Sequence, residues 1–294
     1  MMKKWIALFL VLVLLPCSAC CESVLTSFYP IWIMALNLTT GLDHISVRNL
    51  AAPSVGCLHD YQLQTADMKA LSGADIFLVN GAGMEAFLPE LVRALPDLPV
   101  VEASSGIELL KTDHYGETNS HIWLDVSKAV RMAENLAAGL ISAFPRDEAA
   151  INENLAAYRA RLEALDQALR DGLRDLPRKD IVTFHEAFPY FAEAYGLHVV
   201  AVVNKEPGET LSPAQMASLV REISQLGNPP LFVEPQYPEL SARTLSRETG
   251  SPVYYLDPVV TGPEEDVPLD YYETVMLRNM DTLREALSAP ADSR

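Results

Sequence analysis

Residues 180–203 read DIVTFHEAFPYFAEAYGLHVVAVV. The stretch opens on a short β-branched run, DIVTF, passes through a helix-like segment, AFPYFAEAY, and returns to a second β-rich run, LHVVAVV. Strand, helix and strand in such quick succession are the pattern of a parallel β-α-β unit. His185 then falls immediately beyond the end of the first strand. Taken alone, His185 could be a core histidine with a satisfied ring, the head of a catalytic H-E motif, or a metal ligand whose partners lie elsewhere. Position 189 is Pro189, so there is no H-E-x-x-H helix.

The same alternation extends in both directions. Upstream, VLTSF (24–28) reads as a strand, with Pro30 in the first turn of the helix that follows. HISVRNL is a second strand, and Thr65 is placed to cap the next helix, with an acid in its first turn. ADIFLVNG is a buried strand ending at Gly81, EAFLPELVRAL is helical but for Pro89, and LPVVEAS is again a strand. From Val126 to about Leu176 the strand signal disappears. One helix is expected to about Phe144 and a long one from about Asp147, with Leu155, Tyr158, Leu162, Leu165 and Leu169 as its apolar stripe. Downstream of residue 203, SPAQMASLVREISQL carries Ser212 as N-cap and Pro213 at the first helical position. PLFVE, PELSARTLSRETG, PVYYLD and a final helix from about Asp270 complete the series. The expected fold is α/β, with two lobes, each a mostly parallel sheet with covering helices, joined by a long helix. The expected boundaries are 22–125 for the N-terminal lobe, 126–177 for the linking helical segment and 178–290 for the C-terminal lobe.

Residues 1–19 stand apart from this pattern. Lys3 and Lys4, the apolar run Trp5 to Pro16, and the small residues Ser18 and Ala19 have the layout of a secretory signal peptide. Cys17-Ser18-Ala19-Cys20 resembles a lipoprotein processing site, with Cys20 as the candidate lipid anchor. The expected location is therefore periplasmic or cell-surface, soluble or lipid-anchored. The chain carries 22 basic and 39 acidic residues, a net charge of −17. Such a surface repels nucleic acid. Beyond Cys20 and Cys21 only Cys57 remains, which excludes a disulfide framework within the body of the protein.

Of six histidines, His44 and His198 sit at strand starts and read as structural or surface residues, and His114 lies in a polar loop. His59, His121 and His185 share a different placement, each in a segment that follows a strand. Glu234 ends PLFVE and Asp257 ends PVYYLD in the same manner. In open α/β sheets, functional groups collect in the crevice beyond the carboxyl ends of the strands. Three imidazoles and a carboxylate suit tetrahedral zinc, whereas calcium and magnesium prefer all-oxygen sets.

The segments flanking these residues carry a resemblance. VLTSFYPIWIMALNLTTG, HDYQLQTADMKALSGADIFLVNGAGME, HIWLD, FHEAFPYFAEAYGL, LSPAQMASLVREI, FVEPQY and YYLDP resemble, in order and approximate spacing, the zinc/manganese solute-binding proteins of bacterial ABC importers. The resemblance runs from about Val24 to the final helix. It implies two α/β lobes bridged by a long helix with one metal between them, held by His59, His121, His185 and Asp257. It also implies a permease in the cytoplasmic membrane as partner, a bound metal as cargo, and no enzymatic activity. We expect a monomer. Manganese-type relatives tend to carry glutamate where this chain has His185. The extra imidazole favours Zn2+, with Mn2+ or Fe2+ as poorer fits.

The chain departs from these relatives at several points. Leu58 precedes His59 where some zinc relatives carry an acid, the polar stretch before His121 is short, and Val126 follows HIWLD in place of a common proline. Cys57 reads as a small buried apolar residue rather than a thiolate ligand. Glu234, Asp60 and Asp125 are the acids expected to hydrogen-bond the outer nitrogens of ligating imidazoles. A secreted zinc hydrolase is the rival reading, with Asp257 as a base beside the metal. Neither an H-E-x-x-H helix nor a G-x-S-x-G segment supports it.

Overall fold

A computed structural model describes residues 21–59, 61–111, 118–203, 211–237 and 239–288. The leader 1–19, Cys20, Asp60 and His114 lie outside the described residues. In the first lobe, β1 (Glu22–Thr26), β2 (Ile45–Asn49), β3 (Ile76–Val79) and β4 (Val100–Glu102) form a sheet of order β2-β1-β3-β4. All its pairings are parallel. In the second, β5 (Asp180–Thr183), β6 (His198–Val202), β7 (Leu231–Val233) and β8 (Val253–Tyr255) repeat that order as β6-β5-β7-β8, again all parallel. Parallel sheets need crossovers and cover on both faces, which explains strands as fully buried as IFLV in β3. In each sheet the chain first steps one way from its opening strand and then the other. This reversal opens a crevice at the carboxyl ends of β1 and β3, and likewise of β5 and β7.

The crossovers are α1 (Tyr29–Leu38), α2 (Thr65–Ser72), α3 (Leu88–Ala94), α6 (Pro189–Tyr195), α7 (Pro213–Gln225) and α8 (Leu240–Thr249). Their ends follow local chemistry. Ser212 caps α7, its Oγ accepting from Gln215 N while Gln215 Oε1 accepts from Ser212 N. Helices α6 and α8 stop at Gly196 and Gly250, whose φ values of 68° and 77° suit glycine. Two expectations are corrected at this level. Thr65 is the first helical residue, and the cap position belongs to Gln64, whose N–H donates to Asp67 Oδ2 at 2.8 Å. Pro89 does not interrupt a helix beginning at Glu85. It sits in the first turn of the shorter α3, where a missing N–H costs nothing.

Between the sheets run α4 (Val126–Ala143) and α5 (Glu148–Leu173), and α9 (Tyr271–Ser288) returns to pack on α5. The buried stripe of α5 is Ile151, Tyr158, Leu162, Leu165, Leu169 and Leu173, with Leu155 half-buried. One apolar cluster takes in Phe77 and Leu78 of β3, Leu162 of α5, and Ile181 and Phe232 of the second sheet. The lobes thus share a core. Polar links reinforce it: Trp123 Nε1 donates to Pro258 O at 2.7 Å, and Tyr272 Oη donates to Trp123 O at 2.5 Å. No helix among the described residues is long and apolar enough to cross a membrane.

Truncating Leu162, which is fully buried, should cost about 2–5 kcal/mol in folding free energy. Glu163→Ala on the exposed side of α5 removes only a surface pair with Arg159 and should cost less than about 1 kcal/mol. Urea unfolding of the two variants measures the contrast, and equal losses would contradict the role given to the α5 stripe.

Candidate metal centre

His185 stands two residues after β5, where Phe184 N still bonds Phe232 O at 3.1 Å and Val203 N bonds Thr183 O at 2.9 Å. The strand end is therefore held from both sides, and the side chain that follows enters the crevice. His121 opens a single 3₁₀ turn, Ile122–Leu124, that leads into α4. His59 lies in the loop between β2 and α2. The three rings converge. His121 Nε2 and His185 Nε2 are 3.2 Å apart, and the His59 ring centroid lies 5.4 Å from that of His121 and 6.2 Å from that of His185.

Cys57 joins them, its Sγ 3.5 Å from His121 Nε2. One donor atom from each of Cys57, His59, His121 and His185 lies within 4.8 Å of every other. His121 and His185 are each only 3% exposed. His59 lines an open cleft of about 540 Å³ together with Tyr61, Gln62, Phe87 and Glu90. Of the four cluster residues, His59 is the one that borders this cleft.

The orientation of His121 is fixed by Asn119, whose Oδ1 lies 2.9 Å from His121 N and 3.1 Å from His121 Nδ1. An amide oxygen only accepts, so Nδ1 carries the proton and the Nε2 lone pair faces the cluster. Burial, then the neighbouring His185 and His59, push the His121 pKa well below its ordinary 6.5. The ring therefore stays neutral at neutral pH, the form a metal ligand requires. Asn119 was not recognised in the sequence. Its position two residues before His121 in NSHIWLD was the only signal.

Asp257 follows β8 but lies outside the group of four. Its Oδ1 accepts from Val259 N at 2.8 Å, closing a turn in which Val259 holds a φ of 63°. That value is uncommon for a β-branched residue and marks a locally constrained backbone. Burial raises the Asp257 pKa. Glu234, directly after β7, is 1% exposed, and burial followed by the charge of Asp257 pushes its carboxyl up to about 8. Its Oε2 accepts from Gln236 Nε2 at 2.6 Å.

Asp125 has a different task. Its Oδ1 accepts from Ser127 N, Ser127 Oγ and Lys128 N at the start of α4, and its Oδ2 pairs with Lys128 Nζ at 3.1 Å. The outer nitrogen of His121 goes to Asn119 rather than to an acid. His44 and His198 stand away from the centre, at hydrogen-bonding distance from Asp147 and Asp180, each at 3.0 Å.

Behind the cluster, Asn80 Nδ2 donates to Ser120 O at 3.0 Å. The loop after β3 is organised by Glu85, whose carboxylate accepts from Asn80 N and Gly81 N. Gly81 has a φ of 75°, and a Cβ there would collide with Ser104 Oγ and meet Glu102 Oε2 at 2.7 Å. Burial pushes the Glu85 carboxyl up to about 7.

A model of the family described as zinc-uptake complex component A, periplasmic, matches residues 24–286. The zinc-binding lipoprotein AdcA of Streptococcus pneumoniae is 27% identical over 279 residues, covering 90% of this chain and 55% of AdcA. The chain thus spans about half the length of that relative. The Zn(II)-bound AdcA crystal structure superposes with a TM-score of 0.80 at 27% identity, over 92% of this chain and 58% of AdcA. The manganese-binding lipoprotein MntA of Halalkalibacterium halodurans is 30% identical over 235 residues, 78% of this chain and 77% of MntA. FpvC of Pseudomonas aeruginosa, solved with Mn2+, gives a TM-score of 0.81 at 26% identity, over 91% of this chain and 98% of FpvC.

The raised Glu85 pKa has a definite sign. The unfolded chain ionises this group near 4.5 and the folded chain only near 7. Folding therefore loses stability as pH rises through that window, and loses no more above it. Glu85→Gln removes the titration. The stability of the variant relative to the parent should improve steadily from about pH 4.5 to about pH 7 and then level off, as read from urea midpoints. A difference that does not change with pH would refute the assignment.

Proposed function

Because the chain belongs to the periplasmic zinc-uptake component A family, we propose that it captures a divalent transition metal outside the cytoplasmic membrane and delivers it to an ABC importer. Zinc is the cargo, bound and released unchanged, and the protein acts as a solute-binding component rather than an enzyme. The convergence of three imidazole donors from separate segments carries this reading. Three nitrogens favour zinc over manganese, whose preference is for oxygen. Asp257 is the proposed carboxylate donor, and Glu234 the buried acid behind it. Export by the leader 1–19, with Cys20 as the point of lipid attachment, would place the protein where such an importer loads. The permease is the proposed partner of the metal-loaded form.

Titration of the metal-free protein with zinc should reach one equivalent. His59→Ala, His121→Ala and His185→Ala should each weaken binding by at least about 10–100-fold, the loss seen when even outer groups of a metal site are removed. Asp257→Ala should weaken it as well. Undiminished affinity in that variant would remove the carboxylate from the centre and leave the imidazoles. Manganese bound more tightly than zinc would overturn the cargo assignment.

Protons compete for imidazole nitrogen, so zinc affinity should decline as pH falls below about 6.5. With the His121 pKa depressed, its share of the loss should come at lower pH than an exposed histidine would give. Zinc titrations at a series of pH values measure the decline, and an affinity constant from about pH 8 to about pH 5 would contradict imidazole ligation.

A further inference from the structure

Cys57 lies two residues before His59, and its residue type alone suggests apolar packing. It is half-buried against the main apolar cluster, but its sulfur also faces the imidazoles. Its Sγ is 3.5 Å from His121 Nε2 and within 4.8 Å of donor nitrogens of His59 and His185. A second observation bears on the same point. His121 is almost fully buried, and Asn119 holds its Nδ1, so the Nε2 lone pair is aimed at the space bounded by Cys57 Sγ and His185 Nε2. A committed nitrogen lone pair beside three further donor atoms forms a pocket that a cation fits, and the sulfur completes its four donors.

We propose that the Cys57 thiolate is a direct ligand of the bound metal, making the inner set one sulfur and three nitrogens from Cys57, His59, His121 and His185. The inference rests on the metal-capture reading above. Four donors complete the tetrahedral set zinc prefers, and Asp257, outside this group, would join as an additional carboxylate. Sulfur is a soft ligand, and its presence further favours zinc over manganese and iron. It also brings a negative charge in among the three rings, in addition to that of the Asp257 carboxylate.

Another group with metal-ligand character, Glu22, His44 and Asp147, carries no such inference. Arg146 already reaches Glu22 Oε1 at 2.9 Å and Asp147 Oδ2 at 3.5 Å and balances both acids.

Cobalt(II) replaces zinc and reports its ligands by colour. Titration of the metal-free protein should give one equivalent of bound Co(II), with visible d–d bands and a near-ultraviolet sulfur-to-cobalt charge-transfer band. In Cys57→Ser, with Cys57→Ala as a second variant should serine disturb folding, the d–d bands should persist and the charge-transfer band should vanish. Zinc affinity should fall at least about tenfold. One equivalent of Co(II) bound by the parent without the charge-transfer band would overturn sulfur ligation and leave metal capture standing. So would a band that survives in the variants, since a cysteine other than Cys57 would then be its source. No Co(II) or zinc bound by the parent would overturn the metal-capture reading and the thiolate with it.

Discussion

The structure depends on a buried imidazole remaining neutral and pointing one way. His121 sits between the two sheets, and water cannot compensate a wrongly placed proton there. Asn119 resolves this with one oxygen that takes both the backbone N–H and the ring Nδ1–H. Everything the cluster can do follows from that fixed tautomer. Had Nδ1 faced an acceptor of ambiguous character, the Nε2 lone pair would not be committed to the cluster.

Asn119 also belongs to the contact between lobes. Its Nδ2 donates to Glu186 O at 2.8 Å, and its carbonyl accepts from Tyr190 Oη at 2.9 Å. The same phenol oxygen accepts from Leu110 N at 2.8 Å. The residue that orients His121 is therefore tied to the segment immediately following His185. Trp123 repeats the pattern on the other side, linking the turn after His121 to Pro258 beside Asp257. The ring positions and the lobe interface are fixed by a common set of bonds.

Much of this architecture was legible from residue order. The β-rich runs and intervening helical segments gave the parallel sheets, because β-branched strands and amphipathic helices carry different periods. His185 directly after a strand, with His59 and His121 in loops beyond strands, pointed to the crevice, because the carboxyl ends of parallel strands are where loops converge. What stayed hidden depended on direction rather than type. Nothing in CLH tells whether Cys57 faces the interior or the imidazoles. Asp125 read as an acid near a histidine, although an aspartate followed by Val-Ser-Lys at a helix start is equally an N-cap signal, and capping is the job its oxygens perform. Asn119 drew no attention because its value comes from a turn that brings residues 119 and 121 against each other.

The helix α5 has a further consequence. At 26 residues it is a rod roughly 40 Å long, packed against α4, α9 and α1 and against α6 of the second lobe. Two lobes strung on a flexible linker close around their cargo like a trap, and part of the binding energy is spent on ordering them. Lobes braced by a common rod, with a shared core, present a socket already assembled. On the proposed reading, little configurational entropy would be left to lose when an ion arrives. Discrimination would then come from the chemistry of the donors, and release would be driven from outside, by whatever can bend the brace.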